Sequence, residues 1–219
     1  MSIRKINFVI NEYYHLYNRG NSKQKIFHDK EDHFRFISLM YACNSENNFR
    51  ALSLGRKETP YDFYRGDSIV AIGAYCLMSN HFHILITEMK DGGISKFMQK
   101  LSTAYSMYYN KKYNRTGGLF EGKFKSQHVN SDRYLKYLFS YIHLNPIKNI
   151  DLKWKEKGIK NKSDALVYLS NYEYSSYIDY CNKQRIQNMI LDIKKFPKYF
   201  LNNKIFQKEI FDWLSYKIY

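Results

Sequence analysis

Two apolar segments joined by a single residue constrain the fold more than any other part of this sequence. The segments read SIVAIGAYCLM at 68–78 and NHFHILITEM at 80–89. Both are rich in β-branched and other apolar residues, which favour strands, and the connection leaves room only for a tight turn. The pattern therefore predicts an antiparallel β-hairpin, around which the other elements must be arranged.

Hydrophobic spacing and flanking turn or capping residues predict five further elements. They are a strand at 12–20, a helix at 31–46 capped by Asp29, a helix at 94–113, a strand within 117–129, and a helix at 132–144 between Ser131 and Pro146. The order strand, helix, strand, strand, helix, strand, helix is typical of an α+β fold. We expect a ferredoxin-like antiparallel sheet with helices packed on one face of it.

The predicted domain occupies residues 1–150. A stretch at about 48–67 contains Gly55, Pro60 and Gly66 and is predicted to be an insertion or loop. Residues 151–219 begin with a segment rich in Lys and Asn and continue as two or three short helices. We therefore expect a helical C-terminal extension after the main domain.

The composition indicates a polyanionic partner. The formal net charge is +15 and aromatic residues make up 18% of the chain. Such basic proteins usually bind nucleic acid or an anionic membrane surface, and rings beside Lys and Arg suit single-stranded nucleic acid. An AT-rich genome would explain the abundant Tyr, Lys, Asn and Ile equally well. The cysteines Cys43, Cys76 and Cys181 follow no disulfide pattern, and no stretch approaches ~18 apolar residues, so we expect an intracellular protein with no membrane partner.

Two histidines stand two residues apart in the second strand of the hairpin, at His81 and His83. Because side chains alternate between the faces of a strand, both imidazoles are expected on one face, with Phe82, Ile84 and Ile86 on the other. Their Cα atoms would lie about 7 Å apart, which suits two ligands of one metal ion. The alternative is a pair of unrelated structural histidines.

The helix at 132–144 offers candidate nucleophiles in Tyr134, Tyr137 and Tyr141. Packing is the more common role of any one helical tyrosine. Tyr141 and Asn145 are four residues apart and therefore share a helical face. The amide oxygen of Asn145 is thus a candidate third metal ligand.

Three segments in this order resemble the HUH single-tyrosine transposases: AYCLMSNHFHILI, LFEGKFKS and YLKYLFSYIHLNPIKN. The likeness is greatest to the IS200-like branch called REP-associated tyrosine transposases, and it runs from about Tyr13 to Tyr177. The resemblance implies that His81 and His83 are metal ligands, that Tyr141 is the nucleophile, and that Asn145 is the polar residue one turn later. The 48–67 insertion and the tail after Tyr177 depart from the pattern, which bears on substrate and partners rather than on chemistry.

The same resemblance implies a metal-dependent transposase with site-specific single-strand DNA endonuclease and ligase activity. Such an enzyme cleaves and rejoins single-stranded or hairpin DNA through a 5′-phosphotyrosine intermediate, using Mg²⁺ or Mn²⁺. The two imidazoles by themselves would also admit Zn²⁺ or Ni²⁺. A cytoplasmic, nucleoid-associated location in a prokaryote and a homodimeric assembly are further expectations.

Basic residues interleaved with tyrosines at 90–125 predict a surface that binds the DNA strand. An ordinary solvated helix face is the alternative. The first strand adds His15, Asn18 and Arg19, which we expect beside the histidine pair. The predicted DNA-binding residues are Arg19, Lys111, Lys112, Arg115, Lys123 and Lys125.

Two other functions compete with this one. A domesticated transposase could bind structured single-stranded DNA or RNA without cutting it, although the intact HFH element and Tyr141 argue against that. A metal-storing or metal-sensing protein is disfavoured by the charge of +15 and by the lack of further Cys and His clusters.

Overall fold

One antiparallel sheet of four strands forms the centre of the molecule. The computed structural model describes residues 7–47, 59–200 and 202–212. The strands are β1 (Tyr13–Arg19), β2 (Val70–Met78), β3 (His81–Glu88) and β4 (Lys125–His128), in the order β2-β3-β1-β4. The predicted hairpin is confirmed as the β2–β3 pair, which turns at Ser79 and Asn80.

Three helices accompany the sheet, and they follow the predicted order along the chain. They are α1 (Lys30–Cys43), α2 (Gly93–Lys112) and α3 (Asp132–Leu144). The Asp29 carboxylate accepts a hydrogen bond from the N–H of Asp32 at 2.9 Å, and the Ser131 hydroxyl accepts one from the N–H of Tyr134 at 3.2 Å. Both predicted caps are therefore present, and each satisfies a free N–H in the first turn of its helix.

The end of α3 is set by Pro146, which has no N–H to continue the α-helical pattern. The chain continues instead as a 3-10 turn over Asn145–Asn149. Of the predicted insertion, residues 48–58 lie outside the described ranges. The part that is described contains a short 3-10 turn at Pro60–Asp62.

Helices cover both faces of the sheet. Phe82, Ile84 and Ile86 are buried against α1 and α2, as predicted. The opposite face is covered by α3, whose apolar side chains pack on Leu85 of β3 and on the alternate residues of β2. The expectation of helices on a single face is therefore wrong, because every residue of β2 is buried and such a strand needs a helical layer on each side.

The C-terminal extension packs against the rest of the molecule. Its helices are α4 (Trp154–Lys157), α5 (Lys162–Asn171), α6 (Tyr177–Tyr180) and α7 (Asn203–Asp212). They share a core with the end of α3, formed by Leu144, Ile147, Trp154, Ala165, Leu169, Tyr177, Phe206, Ile210 and Phe211.

The extension also covers the free edge of β2. The N–H of Leu77 donates to the carbonyl of Tyr174 at 2.9 Å, and the N–H of Ser176 donates to the carbonyl of Tyr75 at 3.0 Å. These bonds satisfy backbone groups that an open edge would leave exposed. Within the described ranges, no helix combines the length and the apolar character needed to span a bilayer.

Candidate active site

His81 and His83 lie on the face of β3 that is turned toward α3, with ring centroids 5.1 Å apart. The predicted common face is therefore confirmed. In the neighbouring strand β1, Arg19 pairs with His81 and Tyr17 pairs with His83. The site thus forms where β1, β3 and α3 meet.

His83 is held by a second histidine. Its Nδ1 is 2.9 Å from Nε2 of His15, and both side chains are buried. Burial, followed by the nearby His15 and His81, keeps the pKa of His83 well below 6.5. Burial and then the charge of Lys155 lower the pKa of His15 to about 4. Both rings are therefore neutral at pH 7, the form in which an imidazole can bind a metal.

His81 is oriented by its neighbour in the turn. Its Nδ1–H donates to Oδ1 of Asn80 at 2.6 Å, which leaves Nε2 with the lone pair. Burial and then the charge of Lys148 lower the pKa of His81 to about 4, while the side chain of Asn145 is close enough to favour the protonated form. Asn145 is buried at the end of α3, so the structure brings it to the histidine pair.

Tyr141 reaches the same place from α3. Its ring meets that of His83 edge-on, with centroids 5.4 Å apart, and it lies 6.1 Å from the ring of His15. The phenolic oxygen accepts a hydrogen bond from Nζ of Lys155 at 2.9 Å. Tyr137 lies between Tyr141 and Tyr134, with ring centroids 6.0 and 6.2 Å away respectively. Of the three candidate tyrosines, Tyr141 is the one in ring contact with the histidines.

Two cavities meet at Tyr141. The first, of about 440 Å³, contains His81 and most of the basic side chains near the site. The second, of about 340 Å³, is mainly aromatic and contains Tyr134, Tyr137 and Gln127. Tyr17, His83 and Tyr141 line both cavities. The basic lining of the first consists of Arg19, Lys23, Lys125, Lys148 and Lys155.

The predicted DNA-binding residues lie in three different places. Arg19 and Lys125 line the basic cavity, although Arg19 is paired with Glu121, with Nη2 3.0 Å from Oε1. Lys123 lines a separate depression next to α2. The remaining predicted residues, Lys111, Lys112 and Arg115, lie at or just beyond the end of α2, and that helix packs on the opposite face of the sheet.

Lys112 is already engaged within the protein. Its ammonium forms ion pairs of 2.8–3.0 Å with Asp29, Glu31 and Asp32. Arg115 stacks its guanidinium over the Tyr109 ring at 5.5 Å. The structure therefore brings Arg19 and Lys125 to the histidine pair, and it leaves the residues from α2 at a distance from it.

Three lysines at the site were missed in the sequence, namely Lys23, Lys148 and Lys155. Lys23 and Lys148 stand in 3-10 turns and Lys155 in the four-residue helix α4, all too short for a periodic pattern to indicate the direction of a side chain. The sequence did show that Lys148 and Lys155 follow soon after α3, the helix that carries Tyr141, and this was the one indication that they could lie near the site.

No carboxylate joins the two histidines. Within the described ranges, no three side chains of His, Cys, Asp or Glu come together in a way that could hold a metal ion. Any metal here would therefore rely on the two imidazoles, on the Asn145 amide, and on oxygen atoms of water or substrate.

The family described as "Transposase IS200 like" matches residues 63–145, a segment that runs from just before β2 to the end of α3. Over these residues the chain is similar to the IS200-like transposases. A solved structure of a REP-associated tyrosine transposase bound to a REP hairpin is similar to this chain, with a TM-score of 0.51 and 11% identity, over 85% of this chain and 90% of that one. This likeness supports the fold.

A second solved structure, a bacterial tRNA(His) guanylyltransferase (Thg1)-like protein in complex with ATP, has a TM-score of 0.38. It is 12% identical, and the match covers 78% of this chain and 72% of that one. Comparison with curated proteins gives no match.

Proposed function

We propose that this protein is an IS200-like transposase that cleaves and rejoins single-stranded or hairpin DNA through a 5′-phosphotyrosine intermediate formed on Tyr141. The observation that carries the proposal is the position of the Tyr141 ring, beside His83 of its own chain and on the wall of a basic cavity. A phosphate in that cavity would have the nucleophile, the histidine pair and several ammonium groups around it. Those are the components that phosphoryl transfer to a tyrosine requires.

His81, His83 and Asn145 fit a divalent metal ion. Both imidazoles are neutral, and Nδ1 of each is occupied by a neighbouring side chain, so Nε2 is the nitrogen that each would offer. Mg²⁺ and Mn²⁺ accept nitrogen and amide oxygen ligands while retaining positions for water and phosphate. When bound, such an ion would withdraw charge from a non-bridging phosphate oxygen.

The residues of the chain supply the other parts of the reaction. The phenolic oxygen of Tyr141 forms a bond to phosphorus, and the bond between phosphorus and the 3′-oxygen breaks. The phenolic proton leaves to solvent, and the departing 3′-oxygen takes a proton from water. Lys125 and Lys148, on the wall of the same cavity, would hold the neighbouring phosphates.

Hairpin DNA is the substrate that we propose, because the similar transposase is bound to a REP hairpin. The basic cavity and the charge of +15 suit a DNA backbone. Because Tyr141 lies beside the histidines of its own chain, one copy would contain the complete site, and a homodimer is not needed to build it. We assign the nuclease domain to residues 1–150 and regard 151–219 as its extension.

The proposal is tested by incubating the protein with 3′-labelled hairpin DNA from its own flanking genomic sequence and resolving the products on a denaturing gel. Mg²⁺ or Mn²⁺ should give a covalent protein–DNA adduct, and EDTA should abolish it. His81→Ala and His83→Ala should slow the reaction, with partial recovery at high Mn²⁺. If hairpin binds but no adduct forms in any divalent metal, the non-cleaving binder is the better account.

A further inference from the structure

We infer that Lys155, from the C-terminal extension, is a catalytic residue that stabilises negative charge on the phenolic oxygen of Tyr141 during cleavage and rejoining. The inference rests on the proposed function. It also gives the extension a chemical role, because the extension then completes a site that the main domain only partly builds.

The contact joins the two groups directly. Nζ of Lys155 donates to the phenolic oxygen of Tyr141 at 2.9 Å and lies 4.2 Å from the centroid of its ring. A charged donor on a phenolic oxygen forms a stronger hydrogen bond than a neutral one. The ammonium is therefore placed on the atom that would attack phosphorus.

The position of Lys155 is fixed by its neighbour in α4. The Trp154 side chain is 2% exposed and belongs to the core that the extension shares with Leu144 and Ile147 at the end of α3. This anchor holds α4 next to the helix that carries Tyr141. Lys155 is thus a residue of a packed segment, 14 positions beyond the nucleophile.

The charge of Lys155 is directed toward the site. Among the described residues, no carboxylate forms an ion pair with Lys155, whose contacts are with Tyr141 and the Trp154 ring. Lys155 also lines the basic cavity that contains His81 and His83. Because no neighbouring carboxylate offsets it, the charge of this ammonium can stabilise an anion that develops at the site.

The chemistry predicts equal effects in both directions. In cleavage, the phenolic oxygen loses its proton to solvent as it bonds to phosphorus, and Lys155 stabilises the phenolate character of the attacking oxygen. In rejoining, the 3′-hydroxyl attacks phosphorus and loses its proton, the bond from phosphorus to the phenolic oxygen breaks, and the phenolate leaves. Lys155 takes no part in the proton transfers of either direction and acts on the same phenolic oxygen in both, so both rates should depend on it.

The test compares Lys155→Met with Lys155→Arg and with the matched control Lys153→Met, which removes a lysine from the same segment without touching Tyr141. Single-turnover rates of adduct formation and of strand rejoining are measured on hairpin DNA, together with hairpin affinity. We expect Lys155→Met to slow both reactions by about 10- to 100-fold, less than the loss of a full oxyanion donor, which costs roughly 10²–10³. Affinity should change less than about threefold, Lys155→Arg should recover much of the rate, and Lys153→Met should match wild type.

Several results would overturn the inference while leaving the proposed function intact. Lys155→Met could react as fast as Lys153→Met, could lose rate only in proportion to lost affinity, or could slow cleavage and leave rejoining unchanged. Lys155→Gln provides a second neutral variant if the methionine variant melts early. If the wild-type protein forms no adduct at all, the proposed function fails and this inference fails with it.

Discussion

Replacing His15 tests how the candidate metal ligand His83 is held. For Nε2 of neutral His83 to bind a metal, its proton must be on Nδ1, where it would donate to Nε2 of His15 across 2.9 Å. His15→Leu removes the acceptor and leaves that N–H unpaired in a site where His83 is 7% exposed. An unpaired buried donor costs about 1–3 kcal/mol. Since about 1.4 kcal/mol is a factor of ten, we expect Mn²⁺ affinity to fall roughly 5- to 150-fold.

The assay is Mn²⁺ titration followed by electron paramagnetic resonance, with no DNA present. His15→Gln is the matched control, because the amide oxygen of Gln can occupy a position close to Nε2 of the imidazole and accept the same bond. We expect this variant to bind Mn²⁺ within about threefold of wild type, an estimate that assumes the hydrogen bond is kept. Equal affinity of the leucine variant and wild type would refute the reasoning, as would equal loss in both variants.

Two further predictions concern the charge and protonation of the molecule. Hairpin DNA affinity should fall with salt with a log–log slope of about −3 to −4, from four to six phosphate contacts at roughly −0.7 each. Lys125→Gln and Lys148→Gln, measured by fluorescence anisotropy, should each reduce the slope by about 0.7, and an unchanged slope would remove that lysine from the DNA path. The pKa is lowered by burial to about 4 in His15 and His81 and to about 3 in His143. The unfolded chain therefore binds more protons than the folded protein below pH 6.5, so stability should decrease as pH falls from 6.5 toward 4. Calorimetry should give a lower Tm at pH 5 than at pH 7, and an equal or higher Tm at pH 5 would contradict the assignment of buried neutral histidines.

The hairpin and the shared face of His81 and His83 were predictable because strand alternation is a property of the local sequence. The layer formed by α3 on the second face was not, because the order of elements does not specify the face on which each helix packs. The sequence of β2 did indicate this second layer, because its residues are apolar at every position rather than at alternate ones.

Contacts between distant segments were harder to predict. His15 was expected near the pair, yet its bond to His83 depends on the register of β1 against β3, which pairs Tyr17 with His83. No local pattern in either strand determines that register. The position of Lys155 depends on how the C-terminal extension packs on the end of α3, which it does through Trp154. That packing is set by the shared core and not by any sequence motif.

The most direct test of the central claim is the covalent adduct formed by Tyr141→Phe. This change removes the phenolic oxygen and keeps the ring, so hairpin affinity and Tm should remain close to those of wild type. The account predicts that Tyr141→Phe forms no adduct on 3′-labelled hairpin in Mn²⁺, while Tyr134→Phe and Tyr137→Phe, on the same helix, react within a few-fold of wild type. An adduct that persists in Tyr141→Phe and disappears in Tyr134→Phe or Tyr137→Phe would contradict the assignment of the nucleophile.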